Sequence, residues 1–278
     1  MRPRATHLLP ETLLDLSLIV GLLVLGSATG FLAGLLGIGG GMVTVPFMVM
    51  LLGAQGFPAT ETVKVAIATS LTTIVFTSMS SVRAHHRRGA VRWNLVRLLA
   101  PGILLGALGA AQLAGWMPDR WLAAFFGVFV GYSALKMLRS GGTTADKPLP
   151  GPGLLFGAGG LIGALSALLG AGGGFITVPF LARRQVPMHH AVATSAACGF
   201  PIALAGTLGY IWAGRGLSLP GSLGYVYLPA LVCIASASVL TAPLGARAAH
   251  ALPTATLRKV FAGVLLSLAA YMVWRALR

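Results

Sequence analysis

Two glycine triplets, each followed by a threonine and a proline, are the residues whose types and spacing point most directly to chemistry. They are Gly39, Gly40 and Gly41 with Thr44 and Pro46, and Gly172, Gly173 and Gly174 with Thr177 and Pro179. Such a run cannot continue a regular helix. A short helix that begins there presents free N–H groups and the positive end of its dipole, which favour an anion. Each triplet therefore predicts a helix break with an anion-binding end, to which the threonine hydroxyl adds a donor.

A second pair of motifs adds cations and further hydroxyls. Lys64 stands five residues before a Thr-Ser pair, Thr69-Ser70, and His189 stands five residues before another, Thr194-Ser195. The hydroxyls are interpreted either as donors to a ligand or as helix–helix hydrogen bonds. The two cations are predicted to set the local potential, and His189 to make the activity sensitive to pH near neutrality. For Lys64, extension to the membrane interface or a pair with Glu61, three residues earlier, stays open.

Metal, cofactor and catalytic chemistry are not expected. His85 and His86 lie among arginines, without the carboxylates or cysteines that would complete a metal site. Cys198 and Cys233 have no ligand spacing. The first triplet lacks the sixth glycine of a dinucleotide loop, and no Gly-Lys-Ser/Thr follows it. Acidic residues are so scarce that a carboxylate proton relay has no residues to use.

Composition identifies the class of protein that holds these motifs. Of 278 residues, 56% are hydrophobic and only 9% are charged, and the mean hydropathy is +0.86. Soluble domains carry about 25% charged residues, so a soluble fold is excluded. The net charge of +15 comes mainly from loops between apolar runs. That distribution fits cytoplasmic loop charge better than nucleic-acid binding.

Eight apolar runs predict eight membrane helices in an all-α polytopic fold. They are residues 13–36, 62–81, 95–116, 121–138, 154–169, 189–213, 225–249 and 257–277. Two shorter runs, residues 42–52 and 175–182, follow the glycine triplets and are too short to span. Glycine pairs four residues apart, such as Gly26/Gly30, Gly102/Gly106 and Gly127/Gly131, predict close helix packing.

The two halves of the chain repeat each other. Residues 30–47 align with residues 163–180, and Lys64–Ser70 aligns with His189–Ser195. This predicts a first membrane repeat over residues 1–139, a linker over 140–153 and a second repeat over 154–278. Duplication is a common construction for transporters.

The paired Gly-x-Gly-Gly-Gly-x-x-x-x-Pro-Phe strings, each opening a four-helix half, resemble the sulfite exporter TauE/SafE family over residues 16–275. The resemblance implies a multi-pass transporter of the inner or plasma membrane. It also implies a small anionic substrate such as sulfite, sulfoacetate or a related organosulfonate. It implies no enzymatic activity.

Several alternatives stay open at this stage. The helix breaks are predicted after Gly41 and Gly174. They are compatible with eight simple spans, or with a re-entrant hairpin at each break, which would invert one half of the chain relative to the other. Both topologies place 13 of the 20 lysines and arginines inside and 7 outside, so their distribution does not distinguish them. The 21-residue run Leu16–Leu36 can span fully, which favours eight simple spans. A coupling ion and a homodimer are expected partners, and nucleic acid is not. A membrane-embedded enzyme and an assembly factor remain alternatives to transport.

Overall fold

A computed structural model describes residues 16–36, 40–139, 148–217, 219–251 and 254–278. Within these ranges the chain forms ten helices and one two-stranded hairpin. The helices are α1 (Leu16–Leu36), α2 (Gly41–Ala54), α3 (Thr62–Arg87), α4 (Trp93–Trp116), α5 (Asp119–Arg139), α6 (Pro152–Leu168), α7 (Gly174–Ala182), α8 (Met188–Ala213), α9 (Leu228–Ala251) and α10 (Thr254–Leu277). The strands β1 (Ser222–Leu223) and β2 (Val226–Tyr227) pair antiparallel between α8 and α9.

Each of the eight long apolar runs contains a helix, and the two short runs form α2 and α7. The breaks lie before Gly41 and Gly174, not after them as the sequence predicted. At the second break the reason is Gly173, whose φ of 76° leaves the right-handed helical region. Since Gly174 already has helical geometry, it begins the next helix. Residues 37–39, which include Gly39, lie outside the described residues.

The helices α1 and α2 form an antiparallel hairpin. Near the start of α1, Ser17 Oγ accepts a hydrogen bond from Gln55 Nε2 at the end of α2, at 3.3 Å. Further along α1, a Cβ on Gly21 would lie 2.9 Å from Leu51 Cδ2. Because the start of one helix contacts the end of the other, α2 returns to the end of the molecule at which α1 begins.

The helices α6 and α7 fold back in the same way, but they open at the other end of the molecule. Arg184, just after α7, donates to the carbonyl oxygen of Pro148, just before α6, at 3.2 Å. His190 Nδ1 at the start of α8 lies 2.7 Å from the carbonyl oxygen of Ala90 after α3. The ends of α3 and α7 therefore share one end of the molecule. These contacts agree with re-entrant hairpins and not with eight simple spans.

We expect cysteines placed at positions 88 and 184 to be labelled from the same side of the membrane. The experiment uses a background without Cys198 and Cys233, an impermeant thiol reagent and intact cells. The segment around Arg83–Arg92 and the Arg183-Arg184 pair put many cations at this end, which the positive-inside rule places in the cytoplasm. A cysteine at exposed position 215, just after α8, is the matched control and should label from the opposite side. Labelling of 88 and 184 from opposite sides would contradict the hairpin arrangement.

The core lies on α3 and α8, which pack against each other and bury most of their side chains. Four helices among the described residues are long and apolar enough to cross a membrane: α3, α4, the stretch Asp119–Leu138 of α5, and α8. The outer surfaces of α4 and α5 expose large apolar side chains, including Leu105 and Val128. This distribution is that of a polytopic helical membrane protein. The count of eight spans is not confirmed, because four described helices meet these criteria and because α2 and α7 fold back on α1 and α6.

Glycines bring α1 against α9 and α6 against α4. A methyl group on Gly26 would meet Ile234 O at 2.8 Å, and one on Gly102 would collide with the carbonyl oxygen of Phe156. Gly127 likewise lies against Ala269 of α10. These glycine pairs therefore act in helix packing, as predicted. The linker lies between α5 and α6, and its residues 140–147 are outside the described ranges.

Candidate functional site

The two glycine breaks meet inside the molecule. A Cβ on Gly41 would collide with the carbonyl oxygen of Gly170 and lie 2.9 Å from Ala171 Cα. Residue Ala171 is 1% exposed, so the contact is buried. Because α2 and α7 start at these breaks and run toward opposite ends of the molecule, their N-termini face each other. The structure thus brings the two triplets together, as a shared site requires.

At the first break, the threonine is occupied within its own helix. Thr44 Oγ1 donates to the carbonyl oxygen of Gly40 at 3.0 Å, one turn back. A Cβ on Gly40 would lie 2.9 Å from the carbonyl oxygen of Thr29 on α1. This N-terminus is therefore tightly packed against α1, and its hydroxyl already has an acceptor.

The second break presents donors that have no acceptor. Within the described residues, the backbone N–H groups of Gly172, Gly173 and Gly174 make no hydrogen bond to the chain. The hydroxyl oxygens of Thr177 and Ser166 are fully buried and also lack a partner among those residues. Both hydroxyls face Gly173, since a Cβ there would lie 3.1 Å from Ser166 Oγ and 3.5 Å from Thr177 Oγ1. Buried polar groups are normally hydrogen-bonded, so this cluster is prepared for a polar ligand.

Ser166 is a residue that the sequence reasoning missed. It aligns with Ala33 in the first half of the chain, so the repeat gave no signal for it. Its position is fixed by the end of α6, where Ser166 also accepts, through its backbone carbonyl, the N–H of Ala171 at 3.0 Å. That bond turns the chain from α6 into the break.

One serine of the second motif holds the second break. Ser70 Oγ donates to the carbonyl oxygen of Gly170 at 2.8 Å and so ties α3 to that break. Ser195 is buried, and its hydroxyl has no partner among the described residues. The role of both serines as donors to an anion stays a prediction.

The threonines of the second motif hold the chain at the starts of other elements. Thr69 Oγ1 accepts the N–H of Tyr227 at 3.0 Å, and Thr194 Oγ1 accepts the N–H of Arg92 at 3.1 Å. Tyr227 and Arg92 immediately precede α9 and α4. Both threonines are therefore structural acceptors that hold α3 and α8 to the residues preceding α9 and α4, and the bonds that the sequence left open as helix–helix bonds run from a helix to such a preceding residue.

The structure does not bring Lys64 and His189 to the breaks. Lys64 lies six residues before Ser70 on α3, roughly 9 Å along the helix axis, and pairs with Glu61 at 3.2 Å. His189 is exposed at the start of α8, with its ring centroid 4.1 Å from that of His190. The pair between Lys64 and Glu61 that the sequence left open is present.

A buried carboxylate completes a charge cluster that the sequence analysis also missed. Asp119, at the start of α5, is 6% exposed, and its Oδ2 accepts the N–H of Val63 at 2.6 Å. Its Oδ1 lies 3.9 Å from Lys64 Nζ. The sequence predicted no carboxylate relay and did not single out Asp119, which is nevertheless buried. The sequence could have marked Asp119 as the start of a helix, because Pro118 precedes it. A helix start does not show whether the side chain is buried.

Tyr225 covers this cluster from the β-hairpin. Its ring centroid lies 5.4 Å from Lys64 Nζ, and its hydroxyl donates to Glu61. Burial, with Glu61 nearby, raises the pKa of Tyr225 to about 12. The phenol therefore stays neutral and remains a donor at physiological pH.

The arrangement at the breaks suits a small anion. Each helix N-terminus contributes about half a positive charge, and the two meet where free N–H and hydroxyl donors converge. No group of three or more His, Cys, Asp or Glu side chains that could hold a metal ion occurs in the part of the chain that the structure describes. Together, the apolar helices, the broken helices and this buried donor cluster define a multi-pass helical membrane protein with an internal polar site.

Comparison with known proteins places the chain in a family. The family model for sulfite exporter TauE/SafE matches residues 22–272. The chain belongs to this family.

Relatives cover nearly the whole chain. A probable membrane transporter protein of Haemophilus influenzae is 39% identical over 90% of this chain and 96% of its own length. One from Methanocaldococcus jannaschii is 27% identical over 91% of this chain and 92% of its own length. One from Bacillus subtilis is 26% identical over 76% of this chain and 82% of its own length. No solved structure matches the chain.

Proposed function

We propose that this protein is a permease for a small anion, specifically a sulfur oxyanion or organosulfonate such as sulfite or sulfoacetate. The observation that carries the proposal is the donor cluster at the second break. There, the N–H groups of Gly172–Gly174 and the hydroxyls of Ser166 and Thr177 lack acceptors among the described residues. An oxyanion supplies several acceptor oxygens and one or two negative charges, which these donors and the two helix dipoles compensate.

The chemistry of the donors favours turnover as well as binding. A fixed cation in a low-dielectric site would hold an anion strongly. The partial positive charges at the N-termini of α2 and α7, together with neutral hydroxyls, hold it more weakly. Lys64 and His189, the two cations of the second motif, both lie away from the breaks. The site thus attracts an anion without forming a permanent ion pair, which suits a transporter.

A relation between the two halves supports alternating access. The helix α1 packs on α9 and α6 packs on α4, so the first helix of each half contacts the third long helix of the other half. The bonds of Thr69 and Thr194 are also equivalent under the repeat. With the hairpins opening at opposite ends, these contacts support our proposal of two inverted repeats around one site, a common construction for transporters. In this arrangement, rocking one half against the other would expose the breaks to each side in turn.

The membrane placement follows from the charged loops. Most basic side chains lie at the end that carries Arg88 and Arg184, and the positive-inside rule puts that end in the cytoplasm. We place the protein in the inner or plasma membrane with both the start of α1 and the end of α10 on the outer side.

Transport by the purified protein in liposomes tests the proposal. We expect saturable counterflow of labelled sulfite or sulfoacetate, with slower movement of sulfate as the matched oxyanion. No flux of any of these anions would contradict the permease and favour an assembly factor or a membrane-embedded enzyme. Chemical conversion of the labelled anion inside the liposomes would point to the enzyme.

A further inference from the structure

Glu61, Lys64 and Asp119 form a charge cluster. Binding of the anion at the breaks does not require these three side chains. It lies at the end of the molecule opposite the basic loops, where the starts of α3 and α5 meet. Lys64 and Asp119 are 5% and 6% exposed. One oxygen of Asp119 caps α3 through Val63, but Oδ1 has no hydrogen-bond donor among the described residues.

Lys64 pairs less closely with Asp119 than with Glu61. Lys64 Nζ is 3.2 Å from Glu61 Oε2, which is partly exposed, and 3.9 Å from Oδ1 of the buried Asp119. A buried carboxylate oxygen without a hydrogen-bond donor is costly away from water. Binding of one proton to that oxygen removes the buried charge.

Groups on three neighbouring elements and on α5 itself lie around Asp119. The β-hairpin contributes Tyr225, and α8 contributes Tyr210, whose ring is 6.3 Å from that of Tyr225. The helix α10 contributes Arg275, which interacts electrostatically with Asp119. The neighbouring Arg120 of α5 is exposed and lies over Trp121. Among the described residues, then, Lys64 and Arg275 are the cations that act on Asp119.

The helix α3 connects the charge cluster to the anion site, both through its hydrogen bond to the second break and through electrostatics. The same helix carries Lys64 at its start and Ser70, which bonds to Gly170 of the second break. A proton on Asp119 releases Lys64 from one of its two counter-ions and makes the potential along α3 more positive. At roughly 10 Å, one added charge changes anion affinity by about tenfold. Binding of a proton at the cluster and of an anion at the breaks therefore favour each other.

We propose that Asp119 is a proton-binding site and that the protein carries one proton together with its anion. This inference rests on the proposed permease function. The proton adds to Asp119 Oδ1 as the anion enters and leaves with it on the other side. The carboxylate thus changes from charged to neutral once in each cycle.

The test reconstitutes the protein in liposomes that contain a pH-sensitive dye. Sulfoacetate is the probe, because both its acidic groups stay ionised near neutral pH. With wild-type protein, an inward sulfoacetate gradient should acidify the interior, and an inward proton gradient should accumulate labelled sulfoacetate. In the variant Asp119→Asn, sulfoacetate counterflow should persist while both proton-coupled signals are lost, at least tenfold below wild type. Asparagine retains an oxygen that can accept from Val63.

The variant Arg120→Gln changes the adjacent exposed charge and should keep both signals. A second variant, Glu61→Gln, leaves Asp119 and its bond to Val63 in place. With Glu61 neutral, Asp119 holds its proton less strongly, so we expect the pH optimum of accumulation to move to lower pH.

The outcomes separate the two proposals. Net uptake of sulfoacetate by the wild type without proton movement, proton export in exchange for anion entry, or undiminished coupling in Asp119→Asn would each overturn the proton site. An unchanged pH optimum in Glu61→Gln would overturn it as well. Absence of sulfoacetate, sulfite and sulfate counterflow in the wild type would overturn the permease itself.

Discussion

Replacing Gly173 with alanine should abolish anion flux. The residue has a φ of 76°, in which an alanine costs about 1–2 kcal/mol. Its Cβ would also lie 2.5 Å from Ile202 Cδ1 and 3.1 Å from Ser166 Oγ. The backbone would have to move, and the N–H groups at the start of α7 would then no longer converge with the two hydroxyls. Counterflow of labelled sulfoacetate into proteoliposomes measures the effect, and gel filtration of the purified variant checks its folding.

Two other glycines serve as controls for Gly173→Ala. A Cβ on Gly131 would lie 3.6 Å from Ala269 Cβ, an ordinary contact, so Gly131→Ala should keep full flux. Gly127 is packed more tightly, with Ala269 O 2.8 Å from its added Cβ, so Gly127→Ala should lower stability without a specific loss of flux. Normal flux in Gly173→Ala, or an inactive but well-folded Gly127→Ala, would contradict the half-helix site.

The sequence predicted the helices and the approximate position of the breaks because both depend on local chemistry. Apolar runs of sufficient length fold as helices in a membrane, and the glycines before Pro46 and Pro179 interrupt them. The repeat also predicted one anion site between the two triplets, which stays a prediction. Gly41 lies against Gly170, two residues before the second triplet.

The direction of α2 and α7 could not be predicted because hydropathy does not depend on direction. A short helix after a break has the same composition whether it continues across the membrane or returns. The choice is made by tertiary contacts, such as those of Gly21 with Leu51 and of Arg184 with Pro148. The charged loops did not distinguish the two topologies, because both place the same number of basic residues on the inner side.

The roles of the polar side chains also depended on contacts distant in sequence. The partners of Thr69 and Thr194 are 158 and 102 residues away along the chain. Asp119 stands at the end of an apolar run, where a carboxylate is usually solvated, and is buried only because α3 begins against it. His189 aligns with Lys64 but is exposed, so equivalent positions in the two halves have different environments.

The two halves differ in one respect that bears directly on where the anion binds. Thr44 donates to the carbonyl oxygen of Gly40, whereas its counterpart Thr177 has no acceptor among the described residues. An unpartnered buried hydroxyl destabilises the empty protein, because it has lost its hydrogen bonds to water. Its presence at the second break is explained if the anion supplies the missing acceptor.

The substitution Thr177→Val should therefore raise the stability of the protein and lower its transport. Valine has nearly the same shape and has no buried hydroxyl to satisfy, so thermal unfolding in detergent should occur at a higher temperature. Loss of a donor to the anion should weaken binding by about 1–3 kcal/mol, which is roughly a five- to 150-fold loss in flux at low substrate. Ser166→Ala should act in the same direction.

The matched control removes a hydroxyl that has an acceptor. Ser133 Oγ on α5 donates to the carbonyl oxygen of Phe129 at 2.8 Å. Ser133→Ala should therefore leave flux unchanged and should not raise the unfolding temperature. Opposite changes in stability and flux in Thr177→Val cannot arise from general damage to the fold, because damage lowers both. If Thr177→Val is stabilised and still transports sulfoacetate with unchanged affinity, Thr177 does not contact the anion and the binding site lies elsewhere.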